Sequence, residues 1–202
     1  MRIAIASGKG GTGKTTVAVN LAVTAGSDVR LLDCDVEEPN DHIFLSPEFE
    51  GAETVTVPVP EVDAERCTQC GECARACQFN AIVSLKSEPL VFPELCHGCG
   101  ACAMVCPVDA IGETEREVGT VERGRANGVA FAHGSLRVGE AMSPPLIRAV
   151  KRADGDEALT IIDAPPGTSC PVIEAVRHVD AVLLVTEPTP FGLNDLKLAV
   201  DM

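Results

Sequence analysis

Eight of the ten cysteines in this chain fall on one repeated pattern, and no other feature restricts its fold so tightly. Cys67, Cys70, Cys73 and Cys77 recur as Cys96, Cys99, Cys102 and Cys106, each displaced by 29 residues, and Ala81-Ile82 recurs as Ala110-Ile111 at the same offset. Two copies of one small module therefore lie end to end. A C-x2-C-x2-C run wraps three thiolates around one corner of an iron–sulfur cubane through a tight loop. Structural zinc is the alternative, but zinc sites use paired C-x2-C knuckles, and a three-cysteine run leaves an extra thiol at each. The N-terminus, MRIAIASGKG, shows none of the regions of a signal peptide. The chain is therefore expected to be cytoplasmic, where thiols serve more often as metal ligands than as disulfides.

Outside the cysteine-rich stretch the sequence alternates short apolar runs with helical periodicity. RIAIA and VRLLD read as strands, and TTVAVNLAVTAG between them as a helix that stops at Gly26, which together make a βαβ unit. VGTVERG and VAFAHGSLRVGEAM suggest further strands, PPLIRAVKRA a helix opening on prolines, and ALTIIDAPPG and AVLLVTEPTP two more strands. Hydrophobic residues make up 46% of the 202 residues but aromatics only 3%, so the core must rest on Val, Ile, Leu and Ala, as in buried parallel sheets. The expected fold is α/β: a P-loop parallel sheet flanked by helices, interrupted by a small α+β insert. The divisions are 1–57, the insert at 58–112 with VPVPEVDAE as its Pro-rich approach, and 113–202. A net charge of −14 repels phosphate backbones and anionic lipid, which argues against nucleic acid as a partner. No apolar run reaches the ~18 residues of a membrane span.

The loop Gly8-Lys9-Gly10-Gly11-Thr12-Gly13-Lys14-Thr15 fits G-x4-G-K-[ST] between a strand and a helix. Its glycines let backbone N–H groups turn toward phosphates, and Lys14 is expected on the β- and γ-phosphates of ATP, with Thr15 on Mg2+ and Thr16 beside them. Asp163, after the apolar run TIID, reads as a second Mg2+ acid, and Pro165-Pro166-Gly167 as a segment that moves when the γ-phosphate is lost. Asp33 and Asp35 end the second strand, where they either serve the nucleotide or cap the following turn. Cys34 reads as packing. Cys170 reads as a buried or redox-sensitive thiol.

Two resemblances follow from these residues. The doubled cysteine run resembles the bacterial two-cluster ferredoxin over about 50 residues, with Gln78 standing where that family usually has Pro and Pro107 keeping it in the second copy. That resemblance implies two [4Fe–4S] clusters, one on Cys67, Cys70, Cys73 and Cys106, the other on Cys96, Cys99, Cys102 and Cys77. The early lysine of GKGGTGKT resembles the deviant Walker A group of MinD, ParA, the nitrogenase iron protein and the Mrp/NBP-type ATPases. It implies that Lys9 reaches across an ATP-dependent homodimer, that Asp35 orients the attacking water and that Asp33 supports Mg2+. Lys9, Lys14 and Asp35 would then carry catalysis, and Glu187 and Pro188 would pack near the base. Cys170 falls seven residues after Asp163, where the nitrogenase iron protein has one of its cluster cysteines, but residues 113–162 hold no second one.

The order of motifs resembles MinD-superfamily ATPases with an inserted ferredoxin domain. Some carry a cobyrinic acid diamide synthase label, which requires a glutamine-hydrolysing domain for which this chain has no room. The expectation is an ATPase whose nucleotide state gates electron transfer to a redox partner protein. The alternatives are a cluster carrier that serves an iron–sulfur acceptor protein, and a positioning ATPase with structural clusters. FGLNDLKLAVDM reads as an amphipathic helix with Leu193, Leu196 and Val200 on one face, and its abrupt end suggests a fragment in which hydrolysis is doubtful.

Overall fold

The computed structural model describes residues 1–85, 89–153 and 155–202. The chain divides into two compact units: Met1–Val55 with Gly119–Val138 and Ser143–Met202, and Thr56–Val118 with Gly139–Met142.

The larger unit is built on β1 (Arg2–Ala6), α1 (Lys14–Ala25), β2 (Val29–Asp33) and α2 (Asp41–Leu45). Strand β3 (Glu48–Val62) leaves it and β6 (Ile111–Ala126) returns to it. Then come β7 (Val129–Leu136), α5 (Pro144–Lys151), β8 (Leu159–Asp163), α6 (Cys170–Val176), β9 (Ala181–Leu184) and α7 (Pro190–Asp201). The sheet order is β3-β6-β7-β2-β8-β1-β9, parallel from β7 through β9, with β6 antiparallel to β7. Side chains along a strand alternate between faces, so neighbours in sequence enter different cores. Ala4, Leu32, Ala132 and Ile162 pack under α5 and α6 with Leu146, Ile147, Val150 and Ala175. Ile5, Leu31, Phe131 and Ile161 pack under α1 with Ala18, Val19 and Ala22. Because helices cover both faces, the strands are apolar at successive positions instead of alternating with polar ones.

One strand reading needs correction. RVGEAM is not strand: β7 ends at Leu136 after a hairpin from β6 whose turn residues, Asn127 and Gly128, have φ of 51° and 87°. Asn-Gly suits such a turn because both positions need left-handed backbone. Pro58 and Pro60, in the Pro-rich approach to the insert, lie inside β3; β3 is the outermost strand of the sheet, where a residue without an N–H is tolerated. Helix α7 forms where its periodicity predicts, but its expected apolar face is not buried: Leu193 and Val200 are exposed, and Gly192 is its buried residue. No helix of the described residues is long and apolar enough to cross a membrane.

The smaller unit contains α3 (Glu72–Ala76), β4 (Ile82–Val83), β5 (Leu90–Val91), a 3-10 turn at Pro93–Leu95 and α4 (Ala101–Met104). The sequence repeat is also a backbone repeat. Gln69 and Gly98 (φ 58° and 65°), Gly71 and Gly100 (76° and 71°), and Asn80 and Asp109 (54° and 48°) are left-handed pairs. Gly71 and Gly100 stand at the N-caps of α3 and α4, which turns each cysteine loop sharply into its helix. Among the described residues the core cluster here joins Val59, Ala81 and Cys96, with Cys77 packed against it.

Candidate functional site

In the larger unit, strands β1, β2 and β8 end side by side, with Asp33 paired in register to Asp163, and Ile5 to Asp163 on the other side. Ligands of open parallel sheets bind at such carboxyl ends. The loop from Ser7 to Gly13 joins β1 to α1, with Gly11 and Gly13 at φ of 78° and 91°, and the first N–H groups of α1 lack intrahelical partners. Gly8 passes against the backbone of Asp195 in α7, where a Cβ would collide. Lys14 is 7% exposed, and the Thr15 hydroxyl donates to Asp163 Oδ2 at 2.7 Å. The Thr12 hydroxyl is buried without a partner. The 165–167 turn touches the same loop through Gly167 N–H to Ser7 O at 3.0 Å.

The acids crowd together. Asp33 is fully buried; its Oδ1 accepts the N–H of Asp35 at 3.0 Å, and its Oδ2 those of Asn40 at 3.0 Å and Asp41 at 3.1 Å. Asp33 therefore organises the loop after β2, in accord with the turn-capping alternative, while it remains beside Asp163. Burial above all pushes Asp33 up to about 7, the Asp163 charge adding to it, and burial pushes Asp35 up to about 6 against the opposing pull of Lys14. Burial also raises Asp163 and Asp41. Asp163 Oδ1 has no donor, and neither carboxylate oxygen of Asp41 has one. Buried carboxylates short of donors fit a site that accepts a cation and its waters.

Lys9 Nζ meets Glu187 Oε2 at 3.0 Å, both side chains about one-third exposed (34% and 39%). Glu187 thus holds the early lysine of its own chain, a pairing the sequence does not announce. Pro188 leads into α7, whose first turn is capped by Thr189, the side chain accepting the N–H of Gly192 at 3.0 Å. Thr16 and Gly10 are exposed on the loop. Cys34 is fully buried, and burial pushes its thiol well up. Cys170 is exposed at the start of α6, which corrects the buried alternative.

In the smaller unit the eight repeated cysteines sort into two cavities. Cys67, Cys70, Cys73 and Cys106 line one; Cys77, Cys96, Cys99 and Cys102 line the other. In each, the remote cysteine follows the helix of the opposite copy. The N–H groups of Ala81 and Ala110 donate to the sulfurs of Cys77 (3.3 Å) and Cys106 (3.2 Å), again at equivalent positions, and Gly98 donates to Cys96 at 3.4 Å. Burial raises the equivalent thiols Cys73 and Cys102. Among the described residues no three His, Cys, Asp or Glu side chains converge on a single ion. A cubane asks for a different arrangement, since each of its four thiolates binds a separate iron.

Two features escaped the sequence. Asp41 had no signal beyond its place at a helix start. Phe79 and His97 stack at 3.6 Å between ring centroids over the second cavity.

A glycine loop between the first strand and helix, facing an acid at the end of a neighbouring strand, defines an α/β P-loop nucleotide-binding protein. Residues 3–185 match the CobQ/CobB/MinD/ParA nucleotide binding domain, and the chain belongs to that family. It is 40% identical over 200 residues to an uncharacterized protein of Methanocaldococcus jannaschii, covering 96% of this chain and 70% of that one. A segment of 46 residues, 21% of the chain and 13% of the relative, is 56% identical to an iron-sulfur cluster carrier protein of Synechocystis. The septum site-determining protein MinD of Pyrococcus horikoshii, solved with Mg-ADP, shares the fold with a TM-score of 0.53 at 20% identity over 99% of this chain. This chain spans 63% of that structure's length.

Proposed function

We propose that this is an ATP-binding and ATP-hydrolysing iron–sulfur protein in which nucleotide state governs electron transfer through two [4Fe–4S] clusters. A ferredoxin-like insert at 58–112 would hold them, between ATPase segments 1–57 and 113–202. The observation that carries the reading is the sorting of eight thiols into two four-cysteine cavities, with Cys77 and Cys106 exchanged between the copies. Cys67, Cys70, Cys73 and Cys106 hold one cluster, and Cys96, Cys99, Cys102 and Cys77 the other. When bound, such clusters supply one-electron chemistry over a wide range of potentials. The N–H groups of Ala81, Gly98 and Ala110 stabilise negative charge on the ligating sulfurs.

In the nucleotide site, the loop from Gly8 to Thr16 cradles the phosphates and Lys14 neutralises them. Thr15, Asp33 and Asp163 serve Mg2+, and Asp35 orients the attacking water. Lys9 leaves Glu187 to reach the nucleotide of a second subunit in an ATP-dependent homodimer, and Glu187 and Pro188 border the base. The loop that Asp33 organises leads through α2 straight into β3, the strand that enters the cysteine-bearing unit. Hydrolysis can bias electron transfer to a redox partner protein only if the competing states differ in nucleotide affinity.

A carrier role, delivering clusters to an acceptor protein, is the second reading, favoured by the segment shared with the Synechocystis carrier. Anaerobic purification with iron and sulfide counts, followed by EPR of the reduced protein with and without ATP, separates the two. Nucleotide-dependent spectra and clusters that survive a chelator support gated electron transfer. Indifferent spectra with clusters lost to an apo-acceptor support the carrier. A colourless preparation containing zinc removes both.

A further inference from the structure

Asp41 takes no part in the reading above, yet its setting is hard to explain by packing. It is wholly buried at the start of α2, and neither of its carboxylate oxygens has a donor among the described residues. Its carboxyl group lies within hydrogen-bonding reach of the Asp163 carboxyl. Asp163 in turn accepts from Thr15 on Oδ2 and from no donor on Oδ1. The backbone of Asp41 is fixed separately, its N–H donating to Asp33 Oδ2. Capping does not account for the side chain, because the N-cap of α2 is Asn40 and no side-chain cap bond is made there. Two carboxyl groups buried this close either share a proton or repel, and either state carries a desolvation cost that apolar packing would not. An asparagine of nearly the same shape would fill this space at lower cost.

We infer that Asp41 is a further acid of the Mg2+ shell, acting with Asp163 on a water of the ion and not on the metal itself. The outer-shell role follows from two facts. No three acidic or histidine side chains converge on one point among the described residues, and Mg2+ binds through one or two carboxylates and keeps several of its waters. Asp41 is thus a positioning residue six places after Asp35, beyond the motif that marks the first two acids. The inference rests on the nucleotide-site reading.

The test uses the full chain with Asp41→Asn and, as a second shape, Asp41→Ser. ADP binding is measured by calorimetry with MgCl2 and again with EDTA, alongside thermal melting without nucleotide or metal. The gain in ADP affinity that Mg2+ confers on the unaltered chain should fall at least about tenfold in both variants, as outer-shell substitutions usually cost. Affinity in EDTA should stay as it was, and both variants should melt at or above the temperature of the unaltered chain, because the cost of burying a second carboxyl group is gone. An undiminished Mg2+ gain overturns the inference. So does a lower melting temperature together with weaker binding in EDTA, which would mark Asp41 as structural. If the unaltered chain itself fails to bind ADP, the nucleotide-site reading falls, and the inference with it.

Discussion

The two units build their candidate sites with opposite resources. The larger one has two extensive cores, one on each face of its sheet, and on that foundation it tolerates four buried or half-buried acids that burial has pushed upward. In the smaller the packed cluster is Val59, Ala81 and the thiol Cys96, its other buried hydrophobics lying outside it, and its loops converge on cavities lined by cysteines. Small units without enough apolar burial need a staple, a metal or a disulfide. Every cysteine of the chain is free, so on the proposed reading the clusters supply the staple. On that reading the larger unit rests on its own cores, and the smaller is stabilised by what its site binds.

The largest expected effect follows directly. Stripping iron with a chelator, or replacing Cys70 and Cys99 with Ser, should unfold the smaller unit while the larger keeps its sheet. Limited proteolysis would read this as cleavage confined to residues 56–118. If the emptied protein resists protease throughout, the contrast between the units is broken. Next in size is Lys14→Ala. Truncating a buried charge that faces its counter-charges costs about 2–5 kcal/mol, so nucleotide affinity measured by calorimetry should drop about thirtyfold or more. Iron content should not change, and a loss of iron would break the separation of the two sites.

The units also differ in how legible they were from sequence. The phosphate loop could be read directly because its geometry is local: Gly11, Gly13 and Lys14 act within one turn of chain. The cysteine repeat was equally local, and its 29-residue offset reappears in the left-handed φ pairs. The cavity that Cys106 shares with Cys67 was not readable from spacing; only the ferredoxin resemblance implied such a pairing. Asp41 was invisible for a tertiary reason, since its partner Asp163 lies far along the chain and strand β8 brings it near. Prolines 58 and 60 gave no strand signal because proline normally ends a strand, yet an edge position accepts them. The periodicity of α7 gave the helix but not its environment, because an apolar stripe does not specify what will cover it.

A third prediction sharpens the packing side of the comparison. A Cβ at Gly134 in β7 would come within 2.7 Å of Val36, 2.8 Å of Val150 and 3.0 Å of Leu146. Gly134→Ala therefore overpacks the core under α5, at a cost of about 1–3 kcal/mol. The melting transition of the larger unit should fall by several degrees, at about 2–4 °C per kcal/mol. Iron and sulfide content should hold, because the cysteine cavities owe nothing to that core.

The smallest effect concerns Lys9, where stability and function should part company. Its pair with Glu187 is about one-third exposed on each side, at 34% and 39%. Solvent and salt screen such a pair to about 0–1 kcal/mol, so Glu187→Gln should leave the melting temperature within measurement error. The ammonium group cannot serve Glu187 and a second subunit's nucleotide at once, so the internal pair competes with any dimer that uses Lys9. Removing the competitor should tighten ATP-dependent dimerisation by no more than about fivefold per subunit, the Boltzmann equivalent of that small energy. Lys9→Ala should instead abolish it. Sedimentation equilibrium with ATP and Mg2+ at low salt measures both, and at high salt the gain from Glu187→Gln should vanish as screening removes the pair it relieves. Equal dimerisation of both variants and the unaltered chain would mean that Lys9 serves only its own loop, and the nucleotide site would then be as self-contained as the cysteine cavities.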